Sequence, residues 1–347
     1  MKPSSLSLDR PQSAVIYFSV PRPVQSLDSI LLVHSLRAGK GGVVSTPCGK
    51  ELLPRLKLAW LEGFLWFVHM LPFRLQAALG WALGRILWHF DRHSQKIIRA
   101  NLKVCFPDWQ PQQRESVARD NYCWFTRSQL ERGLLRFCSH EQMARHVTVV
   151  GDPGLVDRET RPVMWLIPHF VAFDHIALVP KVFKKRPIVA LYQPQPDQAV
   201  DLLLKTIRHR NLTSDLIPRD RAAVRLVRMI RAGYGFLNFP DMDWGRKDSE
   251  FIDFFGEPAC TLLSPSRIAR MLDMCIQPVY PEILPGGAGY RIRFFDPIPN
   301  FPSDDPIADM TLFNRWLECR IRENPAQYMW CLERFRTRPE GQAAIYV

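Results

Sequence analysis

The chain has 347 residues and a mass of 40.3 kDa, and 47% of its residues are hydrophobic. That length suffices for one large domain or two small ones, and the composition excludes a chain that is disordered throughout. The 46 Lys and Arg residues outnumber the 34 Asp and Glu residues, which gives a net charge of +12. Such a charge indicates an anionic partner, either nucleic acid, an acidic protein or an anionic lipid surface. The eight cysteines form no CxxC pair, which favours reduced, structural thiols.

Residues 1–50 differ from the rest of the chain because they are rich in Ser, Pro and Gly and show no sustained period. The positive region, apolar core and small-residue cleavage site of a signal peptide do not occur there in order, so no export signal is expected. We interpret this segment as a tail of unknown structure, with disorder as one reading of its composition.

The next segment, 51–92, contains two strongly apolar stretches. The first, from Leu56 to Leu71, ends at Pro72 and is interrupted by Glu62, so it falls short of the ~20 residues that span a bilayer. The second, 73–90, repeats apolar residues at helical spacing. A pair of core helices would show the same pattern, but four tryptophans and flanking basic residues favour helices that associate with a membrane surface. The remainder, 93–347, is predicted to be a separate domain.

Beyond residue 93, apolar strands alternate with helical patterns. This alternation predicts an α/β fold with a mixed central sheet flanked by helices. The predicted strands are 163–167, 187–192, 234–239, 276–283 and 290–295, and the predicted helices include 112–137, 170–179, 199–210, 221–232, 266–273 and 305–323.

The sequence predicts that the catalytic residues lie in the segment 163–179, which reads VMWLIPHFVAFDHIALV. Five apolar residues fit a strand buried on both faces, and Pro168 ends that strand so that His169 emerges at its carboxyl end. A helix then carries Asp174 in its first or second turn. Two residues five apart are about 140° apart on one helix, so His169 and Asp174 can meet only if His169 lies just outside the helix start.

Such a pair has a definite chemistry. A neutral imidazole can take a proton from a hydroxyl while a carboxylate fixes its tautomer, and free N–H groups at a helix start can stabilise developing negative charge. A histidine that caps a turn and an aspartate that faces solvent would give the same spacing. A metal site at His169, Asp174 and His175 is not expected, because no second cluster with ligand spacing occurs in the sequence.

Two further polar segments follow predicted strands. Asp241, Asp243, Arg246 and Lys247 crowd a turn after the strand at 234–239, although turn chemistry alone would place Asp there. The segment 218–221 opens a helix, and an arginine in it could bind a phosphate or a carboxylate through its planar fork. Since loops at the carboxyl ends of parallel strands meet at one crevice, both segments are expected to face His169.

At this point the sequence resembles a known family. The segment HFVAFD, at 169–174, matches the His-x4-Asp motif of glycerolipid and lysophospholipid acyltransferases, and its surroundings look like the bacterial lipid A biosynthesis late acyltransferases, which add lauroyl or myristoyl chains. The supporting segments are RANLKVCFP at 99–107, PDMDWGRKDSEFIDFFGEPACTLLSPSRIAR at 240–270 and QYMWCLERFRTRPEG at 327–341.

The resemblance implies an O-acyl transfer in which His169 activates an acceptor hydroxyl and Asp174 orients His169. It implies that 93–347 is the acyltransferase domain, that acyl carrier protein is the donor and that a Kdo-bearing lipid A precursor is the acceptor. It also implies action at the cytoplasmic face of the inner membrane, with no metal, cofactor or nucleic acid.

The resemblance also suggests residues that bind substrate. Arg219 lies near the family's motif arginine across a one-residue gap, so Arg221 remains an alternative. Asp241 and Asp243 match the family's Pro-Asp-x-Asp turn, which is expected to shape the acceptor site. The alternatives to the lipid A function are an acyltransferase for glycerophospholipid or an ornithine-type lipid, and a catalytically silent protein that binds lipid at a membrane.

Overall fold

The computed structural model describes residues 52–179, 186–211, 215–219 and 222–346. The tail at 1–50 and Arg221 lie outside these ranges, so the interpretations made for them stay predictions. The division of the chain into a membrane-associating segment and a separate domain likewise stays a prediction.

Seven strands form one twisted central sheet in the order β1-β9-β8-β2-β5-β3-β4. The strands β8, β2, β5, β3 and β4 are parallel, whereas β9 is antiparallel to β8 and β1 is parallel to β9. The predicted α/β fold with a mixed sheet is therefore confirmed. The strands are β1 Val147–Gly151, β2 Val163–Leu166, β3 Ile188–Tyr192, β4 Asp215–Pro218, β5 Gly235–Asn238, β8 Cys275–Ile283 and β9 Tyr290–Phe294.

Helices cover both faces of this sheet, which is why β2 is apolar at every position. On one face, the helices at 52–69, 132–137 and 198–211 pack in a core that contains Val163 and Trp165. On the other face, the core contains Met164 and Leu166, and five helices pack in it, at 92–105, 111–130, 223–231, 264–271 and 306–323. Alternate residues of β2 thus point into different cores, as the pleat requires.

The helices in chain order are α1 Leu52–His69, α2 Phe73–Trp88, α3 Arg92–Cys105, α4 Pro111–Leu130, α5 Arg132–Phe137, α6 His140–Ala144, α7 Leu155–Arg158, α8 Gln198–Asn211, α9 Ala223–Arg231, α10 Ser264–Met271 and α11 Pro306–Glu323. Most of the predicted helices are present within a few residues of their predicted ends. The predicted helix at 112–137 is divided into α4 and α5 at Glu131.

A separate hairpin, which the sequence did not predict, follows the turn at 240–247. Its strands are β6 Ser249–Phe254 and β7 Glu257–Leu262, paired antiparallel. The two residues between them, Phe255 and Gly256, have φ angles of 57° and 79°, as a type I′ turn requires. The sequence did not predict this hairpin because Phe255 stands where Asn or Asp usually precedes Gly in such a turn.

The two apolar helices of the N-terminal region pack against the rest of the protein by different means. Helix α1 buries Leu61 and Leu65 in the core that also contains α5 and α8. Helix α2 crosses α4 closely at two glycines, because an added Cβ at Gly80 or Gly84 would lie 2.7 or 2.6 Å from a Cα atom of α4. Within the described residues, no helix combines the length and the apolar character needed to cross a bilayer.

Candidate active site

The corner after β2 is held by the C-terminal segment of the chain. The carbonyl of His169 accepts a hydrogen bond from the backbone N–H of Met329 at 2.8 Å, and the N–H of Val171 donates to the carbonyl of Gln327 at 2.8 Å. These bonds hold 169–171 against the C-terminal segment, in a path that is not helical. The predicted α-helix over 170–179 is therefore replaced by a 3₁₀ helix, Phe173–Leu178, that begins three residues later.

His169 is oriented by Asp241. The ring Nδ1 of His169 lies 2.7 Å from Oδ1 of Asp241, and the backbone N–H of His169 donates to Oδ2 at 2.8 Å. The hydroxyl of Tyr328 also donates to Oδ2, at 3.1 Å. Asp241 is 1% exposed. A carboxylate with these three donors fixes both the ring plane and the tautomer of the imidazole.

The surroundings keep Asp241 ionised. Burial by itself would raise the pKa of this carboxyl, but attraction to His169 and the hydrogen bonds from its ring and backbone more than offset burial, so the pKa is lowered. With Nδ1 donating to Asp241, the other ring nitrogen, Nε2, carries the free lone pair, and no described residue forms a hydrogen bond to it. His169 therefore presents Nε2 as a proton acceptor.

Asp174 has different partners. Its Oδ1 accepts from Nε of Arg208 at 2.8 Å, and its Oδ2 accepts from Nη2 of Arg132 at 2.8 Å. Burial would raise the pKa of Asp174, but the two guanidinium groups lower it well below the usual range. Among the described residues, no hydrogen bond joins Asp174 to His169, so the position expected of Asp174 is taken by Asp241. A catalytic role for Asp174 stays a prediction.

Arg208 is a site residue that the sequence did not single out. Its guanidinium lies 5.6 Å from the ring centroid of Phe173, and that ring lies 5.3 Å from the ring of His169. Arg208 is one of three basic residues at the carboxyl end of α8, where basic residues are common because they interact favourably with the helix dipole. Because the helix dipole already accounts for a basic residue at this position, the sequence did not indicate that Arg208 lies next to the site.

Asp243 is bonded to the turn that contains it and to the C-terminal segment. Its two carboxylate oxygens accept from the backbone N–H of Thr337 at 2.6 Å, the hydroxyl of Thr337 at 2.8 Å and the N–H of Gly245 at 2.9 Å. Asp243 is buried, and these protein donors occupy its oxygens. It therefore fixes the turn that holds Asp241, while a role for Asp243 in the acceptor site stays a prediction.

The C-terminal segment QYMW is itself held in place by side chains from α3 and α4. The amide of Asn101 donates to the carbonyls of Trp330 and Leu332, at 2.7 and 2.8 Å. The amide of Asn121 donates to the carbonyl of Ala326 at 2.9 Å.

The same segment is also attached to the end of β8, because the side-chain amide of Gln327 accepts from the backbone N–H of Ile283 and donates to the carbonyl of Ile283. Residues far apart in the sequence thus position Tyr328 against Asp241.

Arg219 follows the carboxyl end of β4, on the same edge of the sheet as His169. Its guanidinium stacks on Trp244, at 3.7 Å from the ring centroid. Trp244 belongs to the same turn as Asp241 and Asp243, so the two polar segments predicted to converge lie at one edge and touch through this pair. Arg221, the alternative, lies outside the described residues.

His175 is not part of the reaction centre. It is buried, and its ring stacks on Tyr290 at 4.4 Å. Burial and the nearby charge of Arg132 lower its pKa to about 3, so the ring is neutral at physiological pH. Among the residues the structure describes, no group of three or more His, Cys, Asp or Glu side chains is arranged to hold a metal ion.

The model of the family described as "Bacterial lipid A biosynthesis acyltransferase" matches residues 50–337 of this chain. The match includes the corner at His169, the turn with Asp241 and the C-terminal segment that joins them. The chain belongs to this family. It is therefore an acyltransferase of lipid A biosynthesis, and the resemblance seen in the sequence is confirmed.

Three relatives from Escherichia coli (strain K12) show the range within the family. The chain is 30% identical over 300 residues to the lipid A biosynthesis lauroyltransferase, covering 85% of this chain and 96% of that protein. It is 27% identical over 300 residues to the palmitoleoyltransferase, with the same coverage. It is 24% identical over 298 residues to the myristoyltransferase, covering 84% of this chain and 91% of that protein. The names of these relatives specify three different acyl groups, so family membership does not assign an acyl chain to this member.

Proposed function

We propose that this lipid A acyltransferase moves a fatty acyl chain from acyl carrier protein to a hydroxyl of a Kdo-bearing lipid A precursor, with His169 as general base. The observation that carries this proposal is the buried 2.7 Å contact between Nδ1 of His169 and Asp241, which directs Nε2 towards substrate. A His-Asp pair of this kind removes the proton from an attacking hydroxyl.

The chemical step follows from this geometry. Nε2 of His169 takes the proton of the acceptor hydroxyl while its oxygen attacks the thioester carbonyl, and a C–O bond forms. When the C–S bond breaks, the imidazolium returns the proton to the leaving thiolate, so the products are an ester and a free thiol. Asp241 stabilises the imidazolium in between, because it remains ionised throughout.

Negative charge develops on the carbonyl oxygen during this step and needs a donor. The backbone N–H groups of His169, Phe170 and Val171 are already bonded within the protein, so these three groups do not supply it. Arg208 is a candidate donor, because its guanidinium and the ring of His169 both lie next to the ring of Phe173 and because Asp174 holds the guanidinium in place. In this scheme Asp174 acts by positioning Arg208.

The acyl donor is proposed to be acyl carrier protein, whose acidic surface would be attracted by a chain of net charge +12. Each buried CH₂ of the acyl chain contributes about 0.8 kcal/mol to binding. The acceptor supplies the hydroxyl and brings an anionic sugar head group to the polar side of the crevice. No nucleic acid takes part in the proposed function.

The site is proposed to work at the cytoplasmic face of the inner membrane. Helices α1 and α2 and the residues that follow each of them expose several large apolar side chains. Such a set is unusual on a protein surface that contacts only water, and we call it the apolar face. Among them, Phe67 is 60% exposed and Phe90 is 77% exposed. The apolar face comprises Leu53, Leu56, Phe67, Met70, Leu75, Ile86 and Phe90. It is suited to insertion into the interfacial region of one leaflet.

A transfer assay with purified protein tests the proposal. Acyl carrier protein and coenzyme A thioesters are offered as donors, and the Kdo-bearing lipid A precursor and a lysophospholipid as acceptors. We expect transfer from acyl carrier protein to the lipid A precursor, and its loss in His169→Ala. Preference for the lysophospholipid would replace the proposed acceptor, and binding of both lipids without any transfer would indicate a catalytically silent protein.

A further inference from the structure

A cavity lies between the corner that joins α1 to α2 and the helices α5 and α6. Its volume is about 260 Å³. A single water molecule needs only about 10 to 15 Å³, so the cavity has room for a small organic group. The polar residues that line it are His69, Gln76, Cys138, Gln142, Arg145 and His146. None of them belongs to the catalytic corner.

The sheet places this cavity at the same edge as the catalytic corner. His146 precedes β1, whose first residue, Val147, pairs with Tyr290. Tyr290 also pairs with Ile283, the last residue of β8, and β8 is parallel to β2, which leads to His169. Three strand spacings separate β1 from β2, so the two strands are about 14 Å apart. The cavity is therefore a separate site on the edge of the sheet where acyl transfer is proposed to occur.

Two buried polar atoms of the cavity lining have no hydrogen-bond partner in the described part of the chain. Gln76 is 3% exposed, and its Nε2 donates to the carbonyls of His69 and Leu71 at 3.2 and 2.8 Å, but its Oε1 has no partner. Nδ1 of His69 also has none, while Nε2 of the same ring lies 3.8 Å from Sγ of Cys138. Burying such atoms unpaired is costly, so their presence at one cavity indicates a ligand that bonds them.

The chemistry of the lining defines this ligand. An amide oxygen such as Oε1 of Gln76 can only accept a hydrogen bond. Burial lowers the pKa of His69 and of His146, so both rings are neutral at physiological pH. With the ring hydrogen of His69 on Nε2, which faces Cys138, Nδ1 is an acceptor as well. Arg145 is exposed at the rim and suits an oxyanion. The ligand therefore donates hydrogen bonds at one end and carries an oxyanion at the other.

We propose that this cavity binds the phosphoethanolamine head group of a membrane phospholipid, with the ammonium at Gln76 and His69 and the phosphate at Arg145. This proposal rests on the membrane contact in the proposed function and adds a lipid site to it. The position favours a lipid as the source, since Met70, between His69 and Leu71, is 62% exposed and belongs to the apolar face. When that face enters the interfacial region, the cavity lies at the level of the head groups.

The proposed site distinguishes between common head groups. The ammonium of phosphoethanolamine has three N–H donors, which can serve Oε1 of Gln76 and Nδ1 of His69 together. The nitrogen of phosphocholine carries three methyl groups and donates no hydrogen bond, although its phosphate is the same. A lipid bound in the cavity would hold the sheet edge that carries His169 close to the membrane surface, where a lipid acceptor presents its hydroxyl.

The binding test measures cosedimentation of the full-length protein with vesicles, with neither acyl donor nor acceptor present. All vesicles contain the same fraction of anionic lipid, and the remainder is phosphatidylethanolamine, its N,N-dimethyl derivative or phosphatidylcholine. We expect wild type to bind the phosphatidylethanolamine vesicles about 10-fold more tightly than the phosphatidylcholine vesicles, with the dimethyl lipid in between, because methylation removes charge-assisted donors. An equal affinity of wild type for all three vesicles would overturn the proposal.

Two variants assign this preference to the cavity. His69→Phe keeps an aromatic ring but removes the acceptor, so it should reduce the preference for phosphatidylethanolamine while the melting temperature stays close to that of wild type. Arg145→Gln should weaken binding to all three vesicles to the same extent, because they share the phosphate. The matched control is Arg228→Gln, an exposed position on α9, which should bind as wild type does. A full preference in His69→Phe would place the lipid elsewhere and overturn the proposal.

A chemical test reports on the cavity without a membrane. Cys138 lines the cavity, whereas Cys319 on α11 is exposed and serves as the internal control. In detergent micelles, soluble glycerophosphoethanolamine should slow the alkylation of Cys138 by iodoacetamide, as measured by mass spectrometry of the peptides. Glycerophosphocholine should not slow it, and the alkylation of Cys319 should not change. Equal rates at Cys138 with both compounds would overturn the proposal and indicate a cavity that holds only water.

The two tests together separate this proposal from the proposed function. If wild type bound none of the vesicles, the proposed membrane contact would be contradicted, while the alkylation of Cys138 would still decide whether the cavity binds the head group. Protection of Cys138 without any preference among the vesicles would overturn the lipid as the source and indicate a free phosphoethanolamine ester. Failure of acyl transfer would affect neither measurement, because neither contains a donor or an acceptor.

Discussion

At the scale of single residues, the two aspartates near His169 have different partners and different roles. Asp241 bonds the imidazole directly, while Asp174 binds two arginines and forms no hydrogen bond to the imidazole in the described part of the chain. Neutralising each aspartate should therefore change a different property of the protein. The following three predictions concern His169 and these two carboxylates.

The first prediction concerns the base. His169→Ala should reduce kcat by a factor on the order of 10² to 10⁴, because general-base catalysis is removed, while the melting temperature stays close to that of wild type. His209→Ala, which changes an exposed histidine on α8, should leave kcat unchanged. Wild-type turnover in His169→Ala would contradict the assignment of the base.

The second prediction concerns the orienting carboxylate. Asp241→Asn should lower kcat by a large factor with a smaller effect on folding, because an amide can still bond Tyr328 but no longer fixes the tautomer or stabilises the imidazolium. Turnover with acyl carrier protein as donor and the melting temperature are measured on the same preparation. An unchanged kcat in Asp241→Asn, together with a lost kcat in a stable Asp174→Asn, would return the orienting role to Asp174.

The third prediction concerns Asp174 and pH. Asp174→Asn leaves Arg132 and Arg208 without their carboxylate, and breaking a buried pair costs about 3 to 5 kcal/mol of unfolding free energy. Because the pKa of Asp174 is lowered on folding, its contribution is present above the unfolded value of about 3.9 and is lost as the pH falls below it. Urea midpoints of wild type and variant should therefore differ near neutral pH and converge in acid. A difference that grows in acid would show the opposite sign of linkage.

At the scale of elements, the close crossing of α2 and α4 depends on two glycines. Gly84 leaves no room for a side chain, because a Cβ would lie 2.6 Å from the Cα of Cys123. Helix α4 in turn carries Asn121, which holds the C-terminal segment next to the site. Packing at this crossing is therefore coupled to the position of Tyr328.

The fourth prediction follows from that crossing. Gly84→Val should destabilise the fold by about 1 to 3 kcal/mol or more, since overpacking forces the two helices apart. The measurement is the urea midpoint. Ala82→Val, at an exposed position on the same helix, is the matched control for the change in helix propensity and should have a small effect. Similar midpoints for the two variants would show that the crossing tolerates a side chain.

At the scale of the whole molecule, exposed apolar side chains are concentrated where α1 and α2 meet solvent. Helix α1 has a buried side and an exposed side, since Leu65 is buried and Phe67 is 60% exposed. In the proposed function, the apolar face is the surface that contacts the membrane.

The fifth prediction tests the apolar face. Replacing Phe67 and Met70 together by Asp should reduce binding to anionic lipid vesicles, because two large side chains can no longer enter the interface, while the far-ultraviolet circular dichroism stays unchanged. The matched control replaces Ile307 and Leu312 on α11, which are 47% and 41% exposed, by Asp. Equal loss of vesicle binding in both variants would indicate a general charge effect instead of a specific face.

The sequence by itself determined the alternation of strands and helices, the end of β2 before Pro168 and the family. These features depend on neighbours along the chain: an apolar run of five residues needs burial on both faces, and proline after it disfavours continuation. The convergence of Arg219 with the turn at 240–247 also followed from the sequence, because parallel strands place their carboxyl ends at one edge.

The tertiary structure alone decided which carboxylate meets His169. Asp241 is 72 residues away from His169 in the chain, and no local pattern reports a contact at that separation. Asp174 is close in sequence, but hydrogen bonds to the C-terminal segment hold 169–171 outside the helix, which begins at Phe173, and Asp174 meets Arg132 and Arg208. The same reason applies to α1 and α2, where periodicity identifies apolar helices but only packing against the other helices shows which side stays exposed.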